Sequence, residues 1–513
     1  MNGAESLVRT LVASGVEICF ANPGTSEMHF VAALDRVAEM RCVLALFEGV
    51  VSGAADGYAR MAEKPACTLF HLGPGFGNGI ANMHNAKRAN VPIVNIVGEH
   101  ATYHKRYDAP LNSSIETLAG QYSAWMRSSA NSADVARDGA EAVAAARSKR
   151  AISTLILPAD TAWNEGSGIA RPMPVTAPAM PAASIIERAA KMLRTGVPTM
   201  IVLTGDALYG RGLIAAGRIA AKTGATLFSP YSTARIQRGA GLPVVDRVPY
   251  VVEQAVERLK EYRQMILVGA AAPVTFFAYP GKSSVPTPPD CDIYPLARQG
   301  EDYAGALEAL AEAIGAAKTE PHRAKAERPL AASGAITLQG LAQTVAALLP
   351  ENAIVADESI TSGRGMMAAS KGAPPHDWLT NTGGSIGIGM PLAVGAAIAA
   401  PERPVLCLEA DGSGMYTVQS LWTMAREKLN ITTVIFSNRA YAILKGEYAN
   451  VGAGNMGPRA LDMLEIGRPD LDWVSLAKGM GVPGTRVTDL DQFAASLRAG
   501  FADSGPKLIE VVL

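Results

Sequence analysis

Short runs of β-branched and other apolar residues alternate along this chain with longer stretches that carry apolar positions at helical spacing. PIVNIVG (92–98) and STLILP (153–158) are such runs in the first third. TMIVLTG (199–205) and QMILVGA (264–270) follow in the middle, and PVLCLEA (404–410) and TTVIFS (432–437) in the last third. Runs that are apolar throughout, rather than at every second position, predict strands covered on both faces, and strands alternating with helices predict parallel sheets. Two stretches interrupt the pattern. RPMPVTAPAMPAA (171–183) repeats proline every few residues and so lacks the backbone donors of a helix. KTEPHRAKAERPLAASG (318–334) is charged, holds two prolines and has no apolar period. The pattern therefore predicts an α/β protein of three doubly wound parallel-sheet domains, 1–170, 184–317 and 335–513.

Composition narrows the partners. At 513 residues, with 49 % hydrophobic and 18 % charged, the chain has the make-up of a well-packed multidomain α/β protein. A formal net charge of −1 and the lack of a basic run argue against nucleic acid or an anionic membrane as partner. No stretch of about 18 uninterrupted apolar residues suggests a membrane span. The N-terminal MNGAESLVRTLVASGVEICF places Leu7, Val8, Leu11, Val12 and Val16 on one face, with Glu5 and Arg9 between, which predicts an amphipathic helix rather than a signal peptide. Cys19, Cys42, Cys67, Cys291 and Cys407 are odd in number and scattered through apolar runs, which favours buried thiols of a reducing compartment over disulfides. A cytoplasmic protein is expected.

Three stretches carry candidate chemistry. In EADGSGMYTVQSLWTMAREKLNITTVIFSNRAYAIL (409–444), Asp411-Gly412-Ser413 ends one apolar run and Asn438 ends the next, 27 positions later. A strand–helix–strand unit would set these two oxygen ligands side by side, able to share a hard cation with phosphate oxygens. Backbone N–H groups of Gly412 and Ser413 at a helix start suit a phosphate. Alone, Asp-Gly-Ser fits an ordinary nucleotide-binding turn equally well. Glu48 follows the run Cys42–Leu46 and opens the small-residue stretch VVSGAADGYAR, where by itself it fits a helix cap or a partner of the helix dipole. Gly383-Gly384-Ser385-Ile386-Gly387 reads as a Gly-rich loop before a core helix.

Taken together, these stretches resemble the thiamine-diphosphate-dependent enzyme superfamily, in its acetolactate synthase and benzoylformate decarboxylase branches. The family motif pairs Gly-Asp-Gly with Asn-Asn some two dozen residues on; here Ala410 replaces the first Gly and Ser437 the first Asn. The resemblance implies Mg2+ held by Asp411, Asn438 and the Ala440 carbonyl, with Thr361, Gly412, Ser413 and Tyr441 as further cofactor contacts. The family setting E-x-x-x-x-x-x-A-x-G-Y-A-R is met by Glu48 with Ala55 through Arg60, which implies that Glu48 touches the pyrimidine ring nitrogen. Shielding from water would raise that carboxyl's pKa and suit proton sharing. By the same resemblance Ile386 is the wedge between the two cofactor rings and the Gly384 carbonyl accepts from the pyrimidine amine. Because Glu48 and Asp411 fall in different domains, the resemblance implies a homodimer or homotetramer with active sites between subunits.

Residues near the substrate give mixed signals about the reaction. His71, in FHLGPGFGN, matches the active-site histidine of benzoylformate decarboxylases, although a loop histidine bonded to a carbonyl is the plain alternative. Thr25, in ANPGTSE, matches the loop that holds the substrate carboxylate in that branch. That branch's second histidine would fall at Ala278. His100 and His104 stand at i, i+4, a zinc-compatible spacing with no third ligand in view, and a solvated pair is favoured. The tryptophan of acetolactate synthases would fall at Glu447, where a carboxylate favours a polar, non-acidic substrate. Gly205 and Gly269 follow strands without a G-x-G-x-x-G, so the middle domain is expected to hold no flavin or NAD. The expected activity is that of a flavin-free 2-oxo-acid decarboxylase or carboligase. Genuine acetolactate synthase and a non-catalytic cofactor-binding regulator are the alternatives.

Overall fold

The computed structural model describes residues 1–513. Its first sheet comprises β1 (Ile18–Ala21), β2 (Arg41–Leu44), β3 (Ala66–Phe70), β4 (Ile93–Glu99), β5 (Trp125–Ser128) and β6 (Ile152–Pro158). All run parallel, in the order β2-β1-β3-β4-β6-β5. The middle of the chain supplies β7 (Thr199–Leu203), β8 (Thr226–Ser229), β9 (Ile236–Arg238), β10 (Asp246–Arg247), β11 (Gln264–Val268) and β12 (Asp292–Ala297). All but β9 form a second parallel sheet, β10-β8-β7-β11-β12. The last third adds β13 (Ile354–Glu358), β14 (His376–Thr380), β15 (Val405–Ala410), β16 (Ile431–Ser437), β17 (Gly484–Val487) and β18 (Lys507–Val512). These line up as β17-β18-β16-β15-β13-β14-β9, parallel except for the β14–β9 edge.

Three α/β sheets are thus present where the apolar runs predicted them, because strands such as β4, β6, β7 and β16 are buried at every residue. β9 departs from the pattern. This three-residue strand leaves the middle segment and completes the edge of the third sheet, with Ile236 opposite Trp378 and Arg238 opposite His376. Its Ile-Gln-Arg sequence has no apolar run to announce it. The five cysteines are free, and Cys19, Cys67 and Cys407 are buried as expected. Cys42 is not: it lies on β2, at the edge of its sheet, and is exposed. No helix is long and apolar enough to cross a membrane.

The small-residue stretch after Glu48 has a packing reason. Helix Glu48–Ala62 crosses helix Gly389–Ala399 of the third domain backbone to backbone. A side chain at Gly57 would overlap the Leu392 carbonyl, and one at Gly395 would overlap the Ala54 carbonyl. Next to this crossing, Arg60 and Asp56 form a fully buried two-point ion pair, with Nε–Oδ1 at 2.7 Å and Nη2–Oδ2 at 2.6 Å. Arg60 also donates to the Thr380 carbonyl at 2.7 Å, the Ala234 carbonyl at 3.1 Å and the Thr382 hydroxyl at 3.2 Å. One guanidinium therefore joins helix Glu48–Ala62 to the end of β14 and to the chain just before β9.

Removing one partner of a buried pair leaves an uncompensated charge, so Arg60→Met is expected to cost about 3–5 kcal/mol of stability. Urea unfolding measures this directly. A loss below about 1 kcal/mol would mean that the pair is dispensable to the fold.

Candidate active site

The register of β15 and β16 explains how Asp411 meets Asn438. Ala410 at the end of β15 lies opposite Phe436 in β16, so the residues just beyond leave neighbouring strands at the same edge of the sheet. Asp411 opens a single helical turn, Asp411–Gly414. Its Oδ1 accepts from the Gly412 N–H at 2.8 Å and its Oδ2 from the Arg439 N–H at 2.6 Å, while Asn438 Oδ1 accepts from the Ala440 N–H at 3.0 Å. Burial raises the Asp411 carboxyl above its ordinary range, with those N–H groups pulling the other way. A bound cation would act in the same direction as the N–H groups. Gly412 has to be glycine here, since a side chain would begin 2.6 Å from the Tyr441 ring.

These residues open onto a cavity of about 390 Å³, a size suited to a cofactor. Thr361, Gly384, Ile386, Asp411, Gly412, Ser413, Asn438, Ala440 and Tyr441 all line it. The lining includes the Asp411 carboxylate, the Asn438 amide and the N–H groups of Gly412 and Ser413, and also apolar Ile386, Phe276 and Phe277. A diphosphate with one magnesium fits the first group by donor type, since Asp411 and Asn438 leave oxygen positions for the phosphates. An aromatic ring system fits the second group.

The glycine loop of this cavity is held from the first domain. Asn82 Nδ2 donates to the Gly387 carbonyl at 3.1 Å, Asn85 Nδ2 to the Ser385 carbonyl at 2.8 Å, and His84 Nε2 lies 3.2 Å from the Gly383 carbonyl. From below, Glu358 Oε2 accepts the N–H groups of Gly387, Ile388 and Gly389 at 3.0, 2.8 and 2.9 Å, and its Oε1 accepts from Asn381 at 2.9 Å. Glu409 sits opposite Glu358 in the register of β15 and β13. Burial pushes Glu358 up to about 7, and burial plus the neighbouring Glu358 pushes Glu409 well above the carboxylate range. Glu358 is satisfied as an acceptor four times over, whereas Glu409 Oε2 has no hydrogen-bond partner. With four donors on Glu358 and a free oxygen on Glu409, the geometry favours Glu409 as the protonated member of the pair.

Glu48 and His71 form a separate cluster, Thr25 opens the adjoining Thr25–Glu27 segment, and none of the three lines the cavity. Glu48 is buried at the start of its helix and accepts from Asn78 Nδ2 at 3.0 Å. The spot where a side chain on Gly75 would begin is 3.0 Å from Glu48 Oε1 and 3.3 Å from His71 Cβ, so the two residues are close neighbours. His71 Nδ1 is 2.8 Å from Oε2 of the buried Glu27 and 3.3 Å from the Ser26 hydroxyl. A carboxylate beside Nδ1 favours the tautomer with its proton on that nitrogen. Thr25 is exposed at the start of the same one-turn segment, Thr25–Glu27.

Sequence reasoning passed over several of these groups. Glu27 stands inside the ANPGTSE stretch, but nothing local pairs it with His71, 44 positions away. Asn82 and Asn85 are unremarkable polar positions of helix Leu72–Ala89 until its face is known. Phe276 and Phe277 directly precede Ala278 and bring two rings to the cavity. Glu447 also lines the cavity; its Oε1 accepts from the Tyr250 phenol at 3.2 Å, and its Oε2 is buried without a partner. The His100 and His104 rings lie 5.5 Å apart, and no group of three acidic, histidine or cysteine side chains forms a metal set there.

The chain belongs to the thiamine pyrophosphate enzyme family. Residues 1–120 match "Thiamine pyrophosphate enzyme, N-terminal TPP binding domain" and residues 362–511 match "Thiamine pyrophosphate enzyme, C-terminal TPP binding domain". The chain is 54 % identical to a Mycobacterium tuberculosis protein called "Putative acetolactate synthase large subunit IlvX", over 100 % of this chain and 99 % of that one. It is 27 % identical to "Probable 2-ketoarginine decarboxylase AruI" of Pseudomonas aeruginosa, over 100 % and 94 % of the two chains. Its fold matches the thiamine diphosphate-dependent 4-hydroxybenzoylformate decarboxylase of Rhodococcus jostii RHA1 with a TM-score of 0.86 at 23 % identity, covering 99 % of this chain and 98 % of that chain.

With Glu409 as the protonated member, Glu409→Gln is expected to leave stability at pH 7 nearly unchanged. Glu358→Gln, which turns an amide donor toward N–H groups, should cost about 1–3 kcal/mol. A raised folded-state pKa means that the folded chain binds more protons than the unfolded one, so stability falls as pH rises above about 4.5, through about 7 for Glu358 and beyond it for Glu409. That slope should flatten in Glu409→Gln. Melting temperatures measured across this pH range check both statements, and equal losses in the two variants would contradict the proton's location.

Proposed function

We propose that two copies of this chain form a magnesium- and thiamine-diphosphate-dependent enzyme that decarboxylates a 2-oxo acid, with either release of an aldehyde or transfer of the remaining fragment to a second carbonyl. The observation that carries this reading is the cavity in which Asp411, Asn438, Ala440, Ile386 and Gly384 converge, together with the separate cluster of Glu48 and His71. A single cofactor that needs both clusters is best served when one copy supplies the cavity and its partner supplies Glu48. Exposed Met28 and Leu46 near one cluster, and exposed Tyr416 and Leu444 near the other, give such a pairing apolar surface to cover.

In this reading the cofactor, when bound, supplies the carbon nucleophile and the electron sink. Asp411, Asn438 and the Ala440 carbonyl hold the magnesium, and the N–H groups of Gly412 and Ser413 meet the phosphates. Glu48, shielded from water, shares a proton with the pyrimidine nitrogen. His71, set in one tautomer by Glu27, moves a proton through Nε2, and the Thr25 hydroxyl holds the substrate carboxylate. Glu447 favours a substrate whose tail ends in a hydroxyl or a cationic group, because a buried carboxylate oxygen without a donor is costly until a ligand provides one. The similarity to a protein named for 2-ketoarginine, a cationic 2-oxo acid, agrees with this. Acetolactate synthase activity, the activity named for the 54 % identical relative, is the second reading, and an aromatic preference at the Glu447 position would favour it.

Product analysis of the purified enzyme against a panel of 2-oxo acids, with and without an acceptor aldehyde, tests the reaction as a whole. Glu48→Gln should keep cofactor affinity by calorimetry while turnover falls by about 10²–10⁴; near-normal turnover would remove Glu48 from the chemistry. Asp411→Ala should abolish magnesium-dependent cofactor binding, and tight binding insensitive to EDTA would show the anchor to be elsewhere. Glu447→Phe should lower kcat/KM for a cationic or hydroxylated substrate by about a hundredfold and raise it for benzoylformate. An unchanged substrate ranking would end the role given to Glu447.

A further inference from the structure

A second cavity, of about 460 Å³, lies where the middle segment meets the third domain, and it is strongly cationic. Arg238, Arg247, Arg258, Arg364 and Lys371 line it, against a single carboxylate, Asp246, which Arg258 already engages at 2.6 Å. None of the other four cations has a carboxylate within 4.0 Å. Arg238 gives one N–H to the Ser370 hydroxyl at 2.6 Å and lies over the Trp378 ring at 5.6 Å. Arg247 stacks on the Tyr231 ring at 3.9 Å and donates to the Tyr231 carbonyl. Burial and the neighbouring Arg247 lower Arg238 to about 10, so it still carries its charge near neutrality.

Gathering four unpaired cations around one cavity works against stability unless an anion is there to compensate. Guanidinium forks fixed by stacking and by hydroxyl contacts are suited to phosphate oxygens, which accept two parallel N–H bonds. We infer that this cavity is a second anion site, built for a phosphate-bearing polyanion of the pyrophosphate or nucleoside-diphosphate class. It is distinct from the Asp411 anchor, where the protein contributes a carboxylate and backbone N–H groups. The two cavities share Tyr231, Arg247, Tyr250 and Arg364 as a common wall. A ligand in either cavity therefore meets groups that also face the other.

The test uses the enzyme loaded with thiamine diphosphate and magnesium, so that the Asp411 anchor is filled. Pyrophosphate and ADP are titrated in separate calorimetric experiments at constant ionic strength, with AMP as the singly phosphorylated control. Saturable binding of pyrophosphate or ADP at one site per chain is expected, weakened about tenfold or more in Lys371→Glu and in Arg238→Met. Binding by ADP alone would identify a nucleotide site, and binding by both would identify the diphosphate as the recognised group. Lys371 is exposed, so its variant decides the matter even if loss of Arg238 unfolds the protein. Asp411→Ala should retain the same pyrophosphate binding, which separates this site from the cofactor anchor. No saturable heat up to about 5 mM of either probe, or equal affinity in a folded Lys371→Glu, overturns the proposal.

Discussion

The architecture depends on the crossing of helix Glu48–Ala62 with helix Gly389–Ala399. Glycines at 57 and 395 let the two backbones touch, and the buried Arg60–Asp56 pair locks the crossing to the end of β14. One consequence is geometric. The first helix starts with Glu48, and the second begins at the glycine loop that carries Gly384 and Ile386. A contact close enough to exclude side chains leaves little freedom for these two chemical elements to drift, although they are some 340 residues apart in sequence. The same crossing unites the cores of the first and third domains in one apolar cluster.

Around that frame, charge is distributed by place rather than by net amount. A net charge of −1 hides an acidic layer beneath the glycine loop, Glu358 with Glu409, and a basic wall between the middle segment and the third domain. Each is placed by a strand of the third sheet. Glu358 and Glu409 are brought together by the register of β13 and β15, and Arg238 is carried in by β9. The acidic pair is tolerable because one proton and four donated hydrogen bonds neutralise it internally. The basic wall has no such internal answer. That difference is why one cluster reads as structure and the other as a ligand site.

Sequence alone determined the class of fold and named the residues that line one cavity, for physical reasons that are local. Fully buried strands need unbroken apolar runs, a turn that carries Asp411-Gly412 into the cavity needs a strand end, and a backbone-to-backbone helix crossing needs a run of small residues. All of these leave marks within a few positions. The free cysteines were also legible, except that Cys42 lies on an edge strand whose neighbour on one side is missing, and only sheet order reveals that.

Tertiary structure decided whatever depends on partners far apart in the chain. Glu27 became the partner of His71, Asn82 and Asn85 the clamps of the glycine loop, and Phe276 and Phe277 walls of the cavity only through packing. A three-residue strand such as β9 buries too little side chain to impose a pattern on its sequence, so its capture by the third sheet was invisible. Glu447 shows both sides of the division: its position along the chain was readable as a carboxylate in place of an aromatic ring. That one of its oxygens is buried without a partner is a property of the space around it, which no sequence pattern encodes.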